Sequence, residues 1–256
     1  GIYLLARFYP VLGNTDLWTT ALTGIGLITL FIGTFLALRQ RDLKGMLAFS
    51  TIGQLGALVA LIGQPEAEGI KAAMLGIVAH ALYKCTLFLV VGAVDHATGT
   101  RNIDELGGLI GPMRGFGVAT LVAGLSMAGV PPLLGFVAKE TLIDSFMTHP
   151  VALGIVILSA AFTVTAAIRL FAEVFLGKMP KAYPQEQHKN HDAHHPLGDD
   201  AYDYSHTHSL SPLMVAGPGV LAVLSLIVGL GVGPLLTPLI EPAVGKTVHL
   251  HLLPPE

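Results

Sequence analysis

The hydrophobic positions of this chain fall into long, nearly uninterrupted runs rather than into an alternating pattern. About 20 consecutive apolar residues are enough for an α-helix to cross a bilayer. Runs of this length predict crossings at Leu17–Leu38, Leu43–Ile62, Ile70–Val94, Pro112–Phe146, Val151–Leu176 and Leu213–Leu236. The pattern therefore predicts an all-α polytopic membrane protein.

The remaining segments are predicted to lie between or beyond these crossings. Residues 1–16 read as the end of a preceding helix and a loop, which predicts that the chain is a fragment of a longer protein. Residues 17–177 form the predicted transmembrane bundle, and 178–211 form a polar, His-rich cytoplasmic loop. A last transmembrane helix is expected over 212–236, followed by an extramembrane segment over 237–256.

The crossing at Pro112–Phe146 contains a helix-breaking sequence, Val130-Pro-Pro-Leu-Leu-Gly135. Two adjacent prolines remove two amide donors, and the glycine adds backbone freedom. Neither flank is long enough to cross comfortably, so we predict one discontinuous crossing with its break inside the protein. The alternative is a pair of ordinary helices joined by a Pro-rich turn.

The distribution of Lys and Arg supports the discontinuous crossing. With one crossing at the break, eight of these residues lie on one side of the membrane, three lie on the other and three lie within spans. Two full crossings would change the count to five against six and remove the bias. Since positive residues favour the cytoplasmic side, the larger set is predicted to be cytoplasmic. That set is Arg39, Arg41, Lys44, Arg101, Arg114, Lys178, Lys181 and Lys189.

Composition agrees with a membrane protein. Hydrophobic residues make up 52% of the chain and charged residues 12%, and the mean hydropathy is +0.67. The 30 glycines fit close packing of transmembrane helices. A single cysteine, Cys85, excludes a disulfide framework within the chain and is expected to be a small buried hydrophobe. Lipid is the predicted surrounding, and nothing indicates a nucleic-acid partner.

Two ionisable residues, His80 and Lys84, lie within the apolar run Ile70–Val94. A charge inside the bilayer is costly, so such residues usually carry, bind or pair a charge. Residues four apart share one helix face and lie close enough to share a water molecule. Because histidine titrates near neutrality, the pair suits proton relay. The alternative is a lysine that extends to the interface and a histidine bonded to a backbone carbonyl.

Three further ionisable residues, Lys139, Glu140 and Asp144, follow the predicted break. Lys139 is a second candidate relay group, and the two acids are possible supporting groups. The alternative role of Lys139 is a salt bridge that only holds the broken helix. Arg169 and Glu173, four residues apart near the end of a span, are expected to form a structural pair or an interfacial anchor.

Six histidines between His188 and His208 raise the question of a metal site. Their spacing is irregular and no cysteine accompanies them, so a solvated linker is favoured over a Zn²⁺ or Ni²⁺ site. The prediction for the whole chain is therefore no metal and no cofactor. The six are His188, His191, His194, His195, His206 and His208.

Three segments in this order resemble the antiporter-like subunits shared by Mrp-type multisubunit cation/proton antiporters and the membrane arm of respiratory complex I. They are the runs Asp42–Gly56, His80–Lys84 and Gly129–Glu140. The loop Val94–Gly108 is more similar to the large, MrpA-like subunit than to the complex I subunits.

The resemblance implies an antiporter-like helix bundle with two inverted repeats, each containing one discontinuous helix. This chain would hold the second repeat. It also implies that Lys84, Lys139 and His80 belong to a chain of protonatable groups near the membrane midplane. Some relatives carry another histidine one turn before His80, where this chain has Gly76, and a water molecule is expected to fill that space.

The leading hypothesis is the proton-translocating part of a monovalent cation (Na⁺)/proton antiporter in the plasma membrane. Its expected partners are the other subunits of a hetero-oligomeric complex, the lipid bilayer, H⁺ and Na⁺, and it would be a transporter subunit rather than an enzyme. One alternative is a proton-pumping membrane subunit of an NADH:quinone oxidoreductase-type complex. In another, this part is only a scaffold and its charged residues are structural.

Overall fold

The computed structural model describes residues 1–13, 15–65, 67–177, 212–231 and 238, and these residues form an α-helical bundle. Within them, four helices are long and apolar enough to cross a membrane. The helices are α1 (Ile2–Leu12), α2 (Asp16–Arg39), α3 (Leu43–Ile62), α4 (Ala67–Thr98), α5 (Arg114–Ala128), α6 (Leu134–Asp144), α7 (Pro150–Phe171) and α8 (Pro212–Leu230). A 3-10 turn at Ile103–Glu105 follows α4, and a π-helical turn at Ala172–Leu176 extends α7.

Over the described residues, the predicted spans coincide with these helices, and residues 232–236 of the last span lie outside the described residues. The span Leu43–Ile62 agrees with α3 at both ends, and Ile70–Val94 lies within the longer α4. The interrupted span Pro112–Phe146 corresponds to two helices, α5 and α6. Hydropathy therefore locates the helices of the described residues, including the position of the break.

Helices α2 and α3 form a hairpin whose backbones approach closely. A Cβ atom added at Gly33 would overlap the backbone of Gly53, and one added at Gly56 would meet the backbone of Leu30. Only glycine permits this separation, because any larger side chain would push the helices apart. The hairpin therefore presents a closely packed, lipid-free seam along one side of α3.

One end of the bundle is fixed by ion pairs between loops. Arg41 pairs with Asp104 at 2.8 Å, and Lys44 pairs with Asp95 at 2.7 Å. The Asp42 side chain accepts a hydrogen bond from the backbone N–H of Gly45 and so caps the start of α3. Three residues of the predicted cytoplasmic set, Arg41, Lys44 and Arg101, therefore lie at the same end.

The opposite end is fixed by aromatic side chains. Tyr9 donates a hydrogen bond to the carbonyl of Pro65 at 2.8 Å, and the Trp18 indole N–H donates to the carbonyl of Ile62 at 3.2 Å. Phe146, which follows α6, is fully buried in the same apolar cluster as Ile62. This end therefore gathers the end of α3, the start of α4 and the residues that follow α6.

The two halves of the broken segment form a single crossing. Just before α5, the Ile110 N–H donates to the carbonyl of Phe175, and the nearby Arg169 donates to the Leu38 carbonyl, beside the ion-paired end. Phe146 packs at the opposite end with Ile62. The segment therefore traverses the bundle once, as predicted, and two full crossings would have returned it to its starting end.

Glycine terminates the first half of the crossing. Gly129 has φ +80°, the left-handed conformation that commonly ends a helix. The second half then begins directly beside the end of the first, because the Gly135 N–H donates to the Ser126 hydroxyl at 3.2 Å. A Cβ atom at Gly135 would overlap the Ser126 carbonyl, so this arrangement requires glycine. The break is thus a compact side-by-side overlap of two helix ends.

Two predictions for single residues have different outcomes. Cys85 is exposed on the outside of the bundle, so the expectation that it is buried is wrong. Its apolar neighbours in sequence are divided between core and surface by the helical periodicity of α4, which the continuous hydrophobic run conceals. Arg169 forms the expected pair with Glu173 at 2.9 Å and also donates to the carbonyl of Leu38 at 2.6 Å. This guanidinium therefore ties α7 to the end of α2.

Candidate functional site

Lys84 is buried in the middle of the bundle, with 5% of its surface exposed. Helix α4 carries it, and its ammonium donates hydrogen bonds to two oxygens of α3, the Ser50 hydroxyl and the Leu47 carbonyl, the latter at 3.1 Å. Among the described residues, no carboxylate pairs with it. Lys84 is therefore held by neutral oxygens and does not extend to an interface.

His80 lies one turn before Lys84 and contacts a different residue. Its Nδ1 lies 3.2 Å from the Tyr83 hydroxyl, and the two rings meet edge to face with centroids 5.4 Å apart. The partner of His80 is thus a phenol and not the backbone carbonyl that the alternative interpretation assumed. His80 and Lys84 share the helix but have separate hydrogen-bond partners.

Lys139 closes the end of the first half-helix. Its ammonium donates to the carbonyls of Ala128 at 2.8 Å and Met127 at 3.3 Å. The last four carbonyls of a helix lack partners within the helix, and here all four are bonded. The backbone N–H groups of Val130 and Gly129 donate to the carbonyls of Leu125 and Ser126, respectively. The Lys139 ammonium donates to the remaining two carbonyls.

The interaction of Lys139 with α5 is electrostatically favourable. The C-terminal end of a helix carries a partial negative charge that attracts a cation. The salt bridge considered for Lys139 does not form among the described residues, because Glu140 points away and is exposed. Asp144 is also exposed. The structure therefore places neither acid beside the three candidate relay groups.

A cavity lies between α3, α4, α5 and α6. The volume open to the centres of water molecules is about 30 Å³, which is room for about two waters. Lys139, Tyr83 and Gln54 supply polar groups to its wall. The other lining residues are Gly76, Ala79, Ser126, Met127, Gly135, Ala138 and Leu142. The cavity is thus adjacent to the break and to the face of α4 that lies before Lys84.

Gly76 is part of the cavity wall, at the position where some relatives carry a histidine. A Cβ atom added at Gly76 would lie 2.6 Å from the end of the Leu58 side chain, so a larger residue there would require Leu58 to move. The expectation that a water molecule takes the place of the histidine stays a prediction.

Tyr83, Ser50 and Gln54 were not selected from the sequence. Tyr83 lies between His80 and Lys84 and reads as an aromatic core residue, while Ser50 and Gln54 read as isolated polar residues in an apolar span. A signal was present, because Ser50 and Gln54 are four residues apart and share one face of α3. Their common face indicates a polar line toward α4, which carries the two ionisable residues.

The arrangement can transfer protons and offers little to other chemistry. The amine of Lys139 and the residue Tyr83 border a cavity large enough for water, and the His80 imidazole contacts the Tyr83 hydroxyl. Amine, imidazole and phenol groups all exchange protons. Among the described residues, no group of three or more His, Cys, Asp or Glu residues is placed to hold a metal ion. The predicted His-rich segment, from His188 to His208, lies outside the described residues.

Comparison with known proteins identifies relatives of the same architecture. The chain is 35% identical, over 282 aligned residues, to the Na(+)/H(+) antiporter subunit A1 of Staphylococcus saprophyticus. The match covers 97% of this chain and 32% of the relative, so the chain spans about a third of the length of that protein.

Two solved structures share the fold. A chain in the structure of the Mrp complex from Dietzia sp. DQ12-45-1b is 35% identical with a TM-score of 0.72, covering 96% of this chain and 25% of that one. A chain of the membrane-bound sulfane sulfur reductase, an archaeal respiratory membrane complex, is 27% identical with a TM-score of 0.72. That match covers 87% of this chain and 34% of the other.

The family profile described as NADH:quinone oxidoreductase/Mrp antiporter, TM, matches residues 1–166, which include α1 to α6 and most of α7. The matched range contains Lys84, His80, Lys139 and the break between α5 and α6. The chain therefore belongs to the NADH:quinone oxidoreductase/Mrp antiporter transmembrane family.

Proposed function

We propose that this chain is the proton-translocating part of a monovalent cation/proton antiporter, and that Lys84, His80 and Lys139 carry the protons. The observation that carries the proposal is the cavity bordered by Lys139 and Tyr83, with Tyr83 bonded to His80. Two lysines held by neutral oxygens support it, because neither ammonium is neutralised by a carboxylate among the described residues. Such lysines are free to change protonation state without breaking an ion pair.

The proposed setting is a multisubunit complex in the plasma membrane, with H⁺ and Na⁺ as the transported ions. Relatives at 35% identity are named as an Na(+)/H(+) antiporter subunit and occur in an Mrp complex, which supports this assignment. The proposed relay consists of nitrogen bases, and Na⁺ prefers oxygen ligands as other hard cations do. The proposal therefore assigns protons to this part and leaves the path of Na⁺ to another part of the complex.

The test is Na⁺-dependent dissipation of a pH gradient in inverted membrane vesicles, with the full operon expressed in an antiporter-deficient host. Lys139→Ala and Lys84→Ala are each expected to lower the flux by roughly tenfold or more, since a relay group is lost. Lys71→Ala is the matched control, because Lys71 lies on the same helix as Lys84 but is exposed. Wild-type flux in both site variants, with normal assembly, would refute the proposal.

A second candidate function is a proton-pumping membrane subunit of a redox complex, supported by the 27% identity to a chain of an archaeal respiratory complex. The same vesicle assay distinguishes the antiporter from the redox-driven proton pump. The redox complex would be favoured by proton flux that is independent of Na⁺ and begins when an electron donor is added. Co-purified flavin or iron–sulfur proteins would favour it as well. Flux driven by Na⁺ with no such proteins favours the antiporter.

A further inference from the structure

The Tyr83 side chain is in a position to connect two groups that do not touch each other. Its hydroxyl lies 3.2 Å from Nδ1 of His80, and its side chain lines the cavity that Lys139 also borders. His80 itself does not line the cavity. Tyr83 is therefore the residue, among those described, that both contacts His80 and lines the cavity.

The alternative links from α4 to the cavity are weaker. The Lys84 ammonium donates to the Ser50 hydroxyl and the Leu47 carbonyl of α3, and Lys84 does not line the cavity. Gln54 lies one turn beyond Ser50 and borders the cavity, but an amide at neutral pH neither gains nor loses a proton. Gln54 is suited to orient water rather than to carry a proton.

The surroundings of Tyr83 also fit this role. It is 6% exposed, and its side chain lies beside Gly76 and Ala79, whose small size leaves the cavity open next to the phenol. Buried tyrosine hydroxyls normally have a hydrogen-bond partner, and the partner here is a titratable ring rather than a backbone carbonyl.

We propose that the Tyr83 hydroxyl passes protons between His80 and water in the cavity, and that this water connects it to Lys139. In each transfer the O–H bond of the phenol breaks as its proton moves to an unprotonated Nδ1 of His80, and a new O–H bond forms with a proton from the cavity water. The Lys139 ammonium returns a proton to that water, so the positive charge moves from Lys139 to His80. The reverse transfer moves a proton toward Lys139. This inference rests on the proposed function and adds a residue to its path.

The experiment compares Tyr83→Phe with wild type in the same vesicle assay, using the full operon. Phenylalanine keeps the ring and its packing but removes the hydroxyl, so Na⁺-dependent proton flux is expected to fall by roughly tenfold or more at normal assembly. Tyr9→Phe is the matched control. Tyr9 is also buried, and the substitution also removes a hydroxyl hydrogen bond, here to the Pro65 carbonyl. Because Tyr9 does not line the cavity, the flux of this variant is expected to remain at the wild-type level.

A second variant separates proton transfer from simple positioning of His80. Ala138→Leu fills the cavity from α6 and leaves the bond between His80 and Tyr83 in place. The proposal predicts a loss of flux in this variant, whereas a phenol that only holds His80 would leave its flux unchanged. Ala138→Val replaces it if the leucine variant fails to assemble.

The outcomes distinguish this inference from the proposed function. Wild-type flux in Tyr83→Phe, together with lost flux in Lys139→Ala, would overturn the role of Tyr83 and leave the antiporter proposal intact. Lost flux in Tyr83→Phe with full flux after the cavity is filled would overturn the water connection. Full flux in both Lys139→Ala and Lys84→Ala would refute the proposed function itself.

Discussion

At the residue scale, the two lysines of the candidate site obtain oxygen partners in different ways. Lys84 is bonded to the side of an intact helix, through the Leu47 carbonyl and the Ser50 hydroxyl. Lys139 is bonded to the open end of a helix, through the carbonyls of Met127 and Ala128. One acceptor of Lys84 can therefore be removed by replacing a single side chain, Ser50. The acceptors of Lys139 are backbone carbonyls, which side-chain substitution does not remove.

This difference predicts a specific effect of Ser50→Ala. The substitution removes the hydroxyl partner of Lys84 and leaves a buried ammonium with one fewer acceptor, which costs about 1–3 kcal/mol. We expect the variant to assemble, with its Na⁺-dependent proton flux lowered severalfold. Flux in inverted vesicles and the melting temperature of the purified complex are the two measurements.

The control for Ser50→Ala is Ser159→Ala on α7. Ser159 is also a buried serine, but its hydroxyl has no hydrogen-bond partner among the described residues. Removal of an unpartnered hydroxyl is expected to leave flux unchanged and to leave stability unchanged or slightly higher. Equal losses of flux in both variants would show that burial, and not the bond to Lys84, determines the effect at Ser50.

The sequence identifies the ionisable residues of the site but not their partners. His80, Lys84 and Lys139 stand out because charged or titratable groups are costly in apolar segments. The partner of Lys84 lies 34 residues away on another helix, and the phenol beside His80 looks like a core aromatic. Such pairs depend on how helices are rotated against each other, which local patterns do not specify.

At the scale of elements, the break between α5 and α6 is held by hydrogen bonds to the helix ends. The four terminal carbonyls of α5 are all bonded, and the first N–H groups of α6 include one bonded to Ser126. Unbonded backbone groups would be costly at this depth in a membrane. The end of α5 is therefore compatible with a membrane interior, because its four terminal carbonyls all have partners.

The overlap of helix ends predicts a strong effect of Gly135→Ala. The added methyl group would overlap the Ser126 carbonyl, which is backbone and has little room to move. Overpacking of this kind costs about 1–3 kcal/mol. We expect the variant to accumulate poorly in membranes and to melt at a lower temperature, as measured by immunoblotting and by thermal aggregation in detergent.

Gly154→Ala provides the comparison. Gly154 lies in α7, and an added Cβ there meets no atom within 4 Å. Alanine is also the better helix former, so normal accumulation and an unchanged melting temperature are expected. Normal accumulation of Gly135→Ala would contradict the close overlap of the two half-helices.

The positions of the helices follow from hydropathy because apolar length is a local property. The Pro pair and the charge bias also locate the break and show that it belongs to one crossing. The geometry inside the break is different, since the capping of α5 by Lys139 involves residues 11 and 12 positions apart across an irregular turn. No periodic pattern spans such a turn.

At the scale of the whole molecule, the two ends of the bundle differ in chemistry. One end is joined by ion pairs such as Lys44 with Asp95, and the other is fixed by the hydrogen bonds of Tyr9 and Trp18. Positive residues favour the cytoplasmic side, and aromatic residues favour membrane interfaces. The molecule is thus expected to have a defined orientation, with the ion-paired end in the cytoplasm.

This orientation can be tested with introduced cysteines. In a background without other cysteines, including Cys85→Ser, Arg41→Cys is expected to react with a membrane-impermeant thiol reagent in inverted vesicles but not in intact cells. Glu68→Cys, exposed near the start of α4, is expected to show the opposite pattern. Labelling of both positions from one side would contradict the predicted orientation.

Helix α3 packs against α2 on one side and contacts the ionisable residues of α4 on another. Gly53 and Gly56 face the closely packed seam with α2, while Ser50 and Gln54 face the ionisable groups and the cavity. Under the proposed function, α3 therefore keeps proton movement on the side that faces α4. Since each residue turns a helix by roughly 100°, one residue inserted between Ser50 and Gly53 would turn Ser50 away from Lys84 if the seam glycines and Gln54 kept their positions.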